Sequence, residues 1–214
     1  MYQSIIFDLD GTLLNTLPDL AASMNRALTQ YGLPEHSLEQ HRLFVGEGLQ
    51  KFVERAVPRD RQNLTPDVFA AFNRDYEINW AAQTAPYPGI EALLTALTAR
   101  GVKINVLSNK PHRYIAGILA HFFPRQKFAE AHGQHPDKPR KPDPWGALHI
   151  AAQLQVPPTE MLYVGDSGTD MQTAAAAQMP ACGVLWGFRD EAELRANGAQ
   201  FIVRQPAEIL SITN

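Results

Sequence analysis

Close to its amino terminus the chain reads FDLDGTLLNT, Phe7–Thr16, with two carboxylates two residues apart directly after the apolar run Ser4–Phe7. The run has no polar alternation, as in a strand buried on both faces of a parallel sheet, and Gly11 ends it. In an extended backbone residues i and i+2 share a side, so Asp8 and Asp10 face one spot at the carboxyl end of that strand. Two carboxylates held together repel unless a cation or a shared proton intervenes, which points to a metal, an acid/base role, or both. Taken alone, the stretch also fits a plain Asp10-Gly11 turn with a solvated Asp8.

Three further stretches place polar residues just after expected strands. In LSNKP, Ser108 and Asn109 lie between a strand and a helix with Pro111 in its first turn. The N–H groups and dipole of a helix start suit a phosphate, and the Ser108 hydroxyl adds a donor; the competing reading is that Ser108 or Asn109 only caps the helix. In RKPDPWGAL, Lys141 stands in a proline-stiffened loop ahead of a helix, with Lys138 and Arg140 competing for any role. In VGDSGTDMQTA, Asp166 follows a buried strand and Asp170 comes four residues later. A capping box from Ser167 to Asp170 accounts for Asp170 and leaves Asp166 without an explanation.

The elements that carry these residues follow from periodicity. After the first strand, Leu17, Leu20, Ala21, Met24, Leu28 and Tyr31 recur at helical spacing, and Thr16 with Asp19 forms a capping-box signature around Pro18. Leu49, Phe52, Val53 and Ala56 predict a second helix, and Val68, Phe69, Phe72 and Tyr76 a third running toward Trp80. This helical stretch is too long for an ordinary crossover, so residues 15–84 are expected to form an inserted helical domain, with 1–14 and 85–214 forming the core. From Pro88 the pattern alternates: a helix to Gly101, a strand Val102–Leu107, a helix from near Pro111, a short apolar segment around Phe128, and a helix from Pro144 toward Gln155. A strand Met161–Val164, a helix from Ser167 and a strand in PACGVLW complete it. Such alternation implies an α/β fold, a Rossmann-like parallel sheet with helices on both faces.

The 214 residues suffice for one core and a small second unit. A formal net charge of -3 argues against nucleic acid or a membrane surface as the main partner. The single Cys182 excludes an internal disulfide or a multi-cysteine zinc site and fits a reducing compartment; with no signal-peptide pattern, a soluble cytoplasmic protein is expected.

The order DxDGT, Ser, Lys, GDxxxD resembles the haloacid-dehalogenase-like superfamily of phosphotransferases. FDLDGTLLNT, LSNK, RKPDP and GDSGTD match its four motifs, and the helical insertion is similar to its small cap domain. Within it, PDLAASMNRAL, VGEGLQKFVERAV, SNKP and WGFRDEAELRANGAQFIV resemble phosphoglycolate phosphatases. Two positions depart from that pattern: Asn15-Thr16 stands where Asp-Ser is usual, and Gln178 replaces a common Gly before Met179-Pro180.

The resemblance implies a phosphatase acting on a small phosphorylated metabolite, as a monomer or homodimer. Asp8 is then the nucleophile and Asp10 the acid/base. Mg2+ is held by an Asp8 oxygen, the Asp10 carbonyl and Asp166, with Asp170 behind. Ser108, Asn109 and Lys141 meet the phosphoryl oxygens. Hard oxygen ligands and the near absence of cysteine favour magnesium over zinc in their own right. The cap is expected to close over the site and choose the leaving group, with Arg42 or Lys51 in RLFVGEGLQK meeting a second anion or, more plainly, lying on a solvated helix face. A dehalogenase has no use for an acid/base at Asp10, whereas a sugar-phosphate mutase keeps both aspartates. From other classes, a phosphoryl-accepting receiver has no reason to carry a helical insertion, and a non-catalytic interaction protein has none for a full set of reacting groups.

Overall fold

The structure, a computed structural model, describes residues 2–213. It divides into two compact units: the chain up to Leu14 together with that from Pro86 onward, and the segment Asn15–Ala85. The first strand is β1 (Ser4–Phe7), and the chain leaves the first unit at β2 (Leu14–Asn15). The second unit holds α1 (Leu17–Gln30), α2 (Leu38–Phe44), α3 (Leu49–Ala56) and α4 (Thr65–Asn79), and ends at β3 (Ala85–Pro86), which pairs with β2. Strands and helices then alternate through α5 (Ile90–Ala99), β4 (Lys103–Pro111), α6 (His112–Phe122), β5 (Glu130–Gln134), α7 (Trp145–Leu154), β6 (Met161–Gly165), α8 (Gly168–Ala176) and β7 (Ala181–Val184). The last elements are α9 (Glu191–Ala196), β8 (Phe201–Val203) and α10 (Ile209–Ile212).

Six strands form one parallel sheet in the order β5-β4-β1-β6-β7-β8. Every residue of β1 is buried, as its unbroken apolar run requires. Ile6, Leu107 and Tyr163 turn to one face, where they join Ile150 and Ala151 of α7 and Met171 and Ala174 of α8. Ile5, Phe7, Val106, Leu162 and Val164 are buried on the alternate positions, so both faces are covered. The chain fills the sheet to one side of β1 with β4 and β5, then returns to the other side with β6. The boundary between β1 and β6 is therefore the topological switch point, where open α/β sheets bind ligands at their carboxyl ends. Register brings the site residues there: Phe7 lies beside Val106 and Val164, so Asp8, Ser108 and Asp166 all follow within two residues of one row.

The helical unit has its own core. Phe52 and Phe72 meet edge-on at 5.6 Å between ring centroids, and Phe72 stacks on Tyr76 at 5.5 Å. Its helix α2 lies outside the helices expected from periodicity, because Leu38 and Leu43 are exposed and leave no apolar stripe to read. Its signal is chemical instead: Ser37 and Gln40 form a complete capping box.

The capping box expected at Thr16 and Asp19 does not form. Thr16 has helical backbone angles and makes no side-chain cap bond, and its buried hydroxyl finds no partner among the described residues. Asp19, buried in the first turn of α1, instead accepts from the Gln83 N–H at 2.9 Å and from the Thr84 N–H and hydroxyl at 2.8 Å each. A carboxylate that satisfies two backbone donors 64 residues or more away does more for the unit than a local cap. Replacing Asp19 by Ala strands the buried Thr84 donors and is expected to cost about 2–3 kcal/mol in urea denaturation; a loss below about 0.5 kcal/mol would show that water replaces the carboxylate.

Candidate active site

Asp8 is the first residue past β1. Its N–H donates to Val164 O at 2.9 Å, continuing the ladder with β6, and its Oδ1 accepts from the Leu9 N–H at 2.7 Å. The chain bends at Leu9, between the two carboxylates of the DxD pair, and then turns through Gly11, whose φ of +88° suits glycine. Asp8 Oδ1 lies 2.9 Å from Lys141 Nζ, whereas Asp10 Oδ1 lies 2.9 Å from Lys110 Nζ. Both lysines are buried.

Lys141 is thereby singled out from its loop neighbours. Lys138 and Arg140 are exposed, while Lys141 reaches Asp8, Asp170 Oδ1 at 2.7 Å and Leu107 O at 3.1 Å. Asn109 holds the loop: its Oδ1 accepts from Lys141 N–H at 3.0 Å, and its Nδ2 donates to Lys141 O at 3.2 Å. Ser108 Oγ accepts from the Lys110 N–H at 3.1 Å.

These contacts correct one expectation. The strand expected to stop at Leu107 runs on to Pro111, with a register irregularity after Leu107, and α6 begins only at His112. Ser108 and Asn109 therefore belong to the strand end and stand clear of the helix start, so neither caps α6 nor offers helix N-terminal N–H groups. Pro111 occupies the cap position rather than the first turn.

Asp166 follows β6 and is deeply enclosed. Its Oδ1 accepts from Thr12 Oγ1 at 3.1 Å and its Oδ2 from the Phe188 N–H at 2.8 Å. Gly187 has no side chain because none would fit: a Cβ there would lie 2.2 Å from Asp166 Cβ and 2.5 Å from Gly11 O. The segment Trp186–Phe188 thus walls the site, and Trp186 Nε1 donates to Thr12 O at 2.9 Å. Asp170 does form the capping box with Ser167, and it also receives Lys141; the structural and the chemical readings hold together.

Asp8, Asp166 and Asp170 each offer a carboxylate oxygen within 4.8 Å of the others. Burial raises the Asp8 carboxyl well above the usual range, with Asp170 and Asp166 adding repulsion and Lys141 pulling the other way. Burial, then Asp170, pushes Asp166 up to about 7. Lys141 is pulled down by burial, but Asp170 and Asp8 outweigh it and hold the ammonium well above its usual value. With Asp10 and Lys110 included, four carboxylates face two ammonium groups, an excess of two negative charges when all are ionised. Hard oxygen donors with that excess fit a divalent cation.

Arg42 and Lys51 belong to the helical unit. Arg42 Nη1 lies 3.5 Å from Glu39 and Lys51 Nζ 2.8 Å from Glu54, both partly exposed i,i+3 pairs of the kind found on a solvated helix face.

Residues 5–184 match the family of haloacid dehalogenase-like hydrolases. The chain belongs to that family. A phosphoglycolate phosphatase of Pseudomonas putida is 31% identical over 204 residues, which cover 93% of this chain and 75% of that protein. One from Haemophilus influenzae is 30% identical over 99% of this chain and 98% of its own. A solved structure of a candidate phosphoglycolate phosphatase from Lactobacillus delbrueckii subsp. bulgaricus superposes with a TM-score of 0.93 at 31% identity, covering 99% of this chain and 98% of that one. The six-stranded parallel sheet is that of the family's hydrolase core. Among the described residues no helix is long and apolar enough to cross a membrane.

The candidate site carries residues to which the sequence assigned no role. Lys110 was visible in LSNKP, but only the extended strand end shows that it turns inward to Asp10. Thr12 and Trp186–Phe188 hold Asp166 through contacts 154 and 22 residues apart, beyond any local pattern.

A pH prediction follows from Asp166. Its folded value of about 7 exceeds the ordinary 3.8, so between these values the unfolded chain loses the proton first and stability falls as pH rises. In chelator, wild type should therefore lose thermal stability from pH 4 to 7 relative to Asp166→Asn. Parallel profiles for the two proteins would contradict the raised value.

Proposed function

We propose that the chain is a magnesium-dependent phosphatase of a small phosphate monoester, phosphoglycolate-like, working through an aspartyl-phosphate on Asp8. The observation that carries this reading is the split of the DxD pair, with Asp8 on Lys141 beside Asp166 and Asp170, and Asp10 apart on Lys110. A nucleophile and an acid/base must act on opposite sides of the same phosphorus, and two carboxylates with separate cationic partners are suited to those separate tasks.

In this reading an Asp8 oxygen attacks phosphorus, and Leu9 N–H and Lys141 fix the carboxylate's orientation. Lys141, Ser108 and Asn109 lie at the same sheet edge to balance charge on the phosphoryl oxygens. Asp10 protonates the departing alkoxide and then takes a proton from the hydrolytic water, which breaks the acyl-phosphate and frees Asp8. Lys110 holds the Asp10 side chain in place for both transfers. Asp8, the Asp10 carbonyl and Asp166 would hold magnesium, with Asp170 supporting; when bound, the ion offsets the repulsion between carboxylates and phosphate. The helical unit selects the leaving group, with Arg42 or Lys51 as the anion-recognising residue.

A panel of phosphate monoesters including 2-phosphoglycolate, assayed with magnesium and with chelator, tests the reading. Hydrolysis of a small monoester should require the ion, and Asp8→Asn should fold and lose at least about 10³-fold in rate. Arg42→Ala or Lys51→Ala should weaken the best substrate while sparing p-nitrophenyl phosphate. Full activity in excess chelator, or an active Asp8→Asn, would reject the mechanism; isomerisation of a sugar phosphate without phosphate release would assign a mutase.

Asp10 is tested by leaving group. Asp10→Asn should slow phosphorylation of Asp8 by an alkyl phosphate about 10²–10⁴-fold, and far less with p-nitrophenyl phosphate, whose phenolate leaves without a proton. Because the second step also lacks its base, rapid mixing should show a nitrophenolate burst. Lys110→Met should reproduce the leaving-group bias in weaker form. Equal losses on both substrates with no burst would remove Asp10 from proton transfer.

A further inference from the structure

Away from the carboxylate cluster the structure gathers a second set of metal-ligating side chains. The geometry points to a nitrogen-ligand site for a zinc-class divalent ion, formed by His112, His132 and His135 at the end of β5 and the start of α6. One ring nitrogen from each of the three lies within 4.8 Å of the others. The His112 and His135 rings are 4.1 Å apart between centroids, and those of His112 and His132 6.1 Å.

Three features favour an ion over a chance gathering of histidines. The backbone presets the cluster: His132 lies in β5, which pairs with β4, and β4 runs directly into His112. His132 is oriented from behind, since its Nε2 lies 2.8 Å from Glu130 Oε2. A ring proton kept at Nε2 leaves the lone pair on Nδ1, the arrangement in which a carboxylate supports a metal-bound imidazole. The His112 ring is also suited to stay neutral. Burial, then His135 and His132, lowers the His112 value below the ordinary one, so its lone pair is available near neutral pH. An ion on His112 displaces one bond, the long 3.2 Å contact from the Gly133 N–H to Nδ1.

The two clusters sort ions by chemistry. Carboxylate oxygens suit a hard cation, whereas three imidazoles suit zinc, cobalt or nickel and leave a coordination position open to water. All three histidines are half-buried, so an ion reaches them from solvent.

The test is a zinc titration of the tag-free protein, followed by calorimetry and by the histidine ring signals in NMR. Cobalt serves as a chromophoric substitute. One zinc should bind at the histidines of each chain; the ring signals of His112, His132 and His135 should move, and those of His36, His41 and His121 should not. His135→Ala and His132→Ala should each weaken zinc at least tenfold, and Glu130→Gln about tenfold. Asp166→Asn should bind zinc at His112 as wild type does. Zinc uptake with all three ring signals unmoved, or zinc binding lost in Asp166→Asn and kept in His135→Ala, would overturn the site. No uptake at all would do the same, and the wild-type NMR experiment decides the question even where a variant fails to fold.

Discussion

An excess of buried negative charge governs the first unit. Asp8, Asp166 and Asp170 converge at the end of a sheet with Lys141 among them, and burial drives the Asp8 and Asp166 carboxyls upward. Such a cluster opposes folding once its members ionise, so the surrounding scaffold must be stable enough to hold it. Thr12, Phe188 N–H and Ser167 each donate to a member of the cluster, and Gly187 lets the backbone close against Asp166 where any side chain would collide. That surplus and its hard oxygen donors fit a divalent cation.

The sheet supplies the rigidity. Because β1 is central and flanked by parallel strands in matched register, its first residue beyond the ladder is held by Val164 O and directed to the switch point. Lys141, by contrast, arrives from a loop, and a loop lysine is normally solvated. Its position depends on Asn109, which grips the backbone on both sides of that residue, N–H and carbonyl. Asn109 thus positions Lys141.

Much of this was legible in the sequence. An apolar run without alternation gave β1, and polar residues recurring after strands marked the edge at which Asp8, Ser108 and Asp166 align. The helical periodicity of 15–84 ran too long for a crossover, and the structure groups Asn15–Ala85 as one compact unit. What escaped was whatever depends on distant partners or lacks a period. Asp19 mimics a capping residue in sequence, yet its donors lie at Gln83 and Thr84. Helix α2 exposes its leucines, and β4 outruns its apolar segment because pairing with β5 continues to Pro111. A strand end that carries Ser, Asn and Lys reads locally as a loop, and only the sheet reveals it as an extension.

Asp170 shows why local and chemical explanations need not compete. Its Oδ2 completes the cap of α8 with Ser167, which fixes the side chain, and its Oδ1 receives Lys141 at 2.7 Å. A carboxylate whose one oxygen is committed to a helix terminus is held in place, so it can fix Lys141 at a set distance from Asp8. The two lysines then divide the edge between them: Lys141 ties Asp8 to Asp170, and Lys110 draws Asp10 away from both. The second lysine thus gives the fourth carboxylate its own cationic partner, close to the site and outside the group formed by Asp8, Asp166 and Asp170.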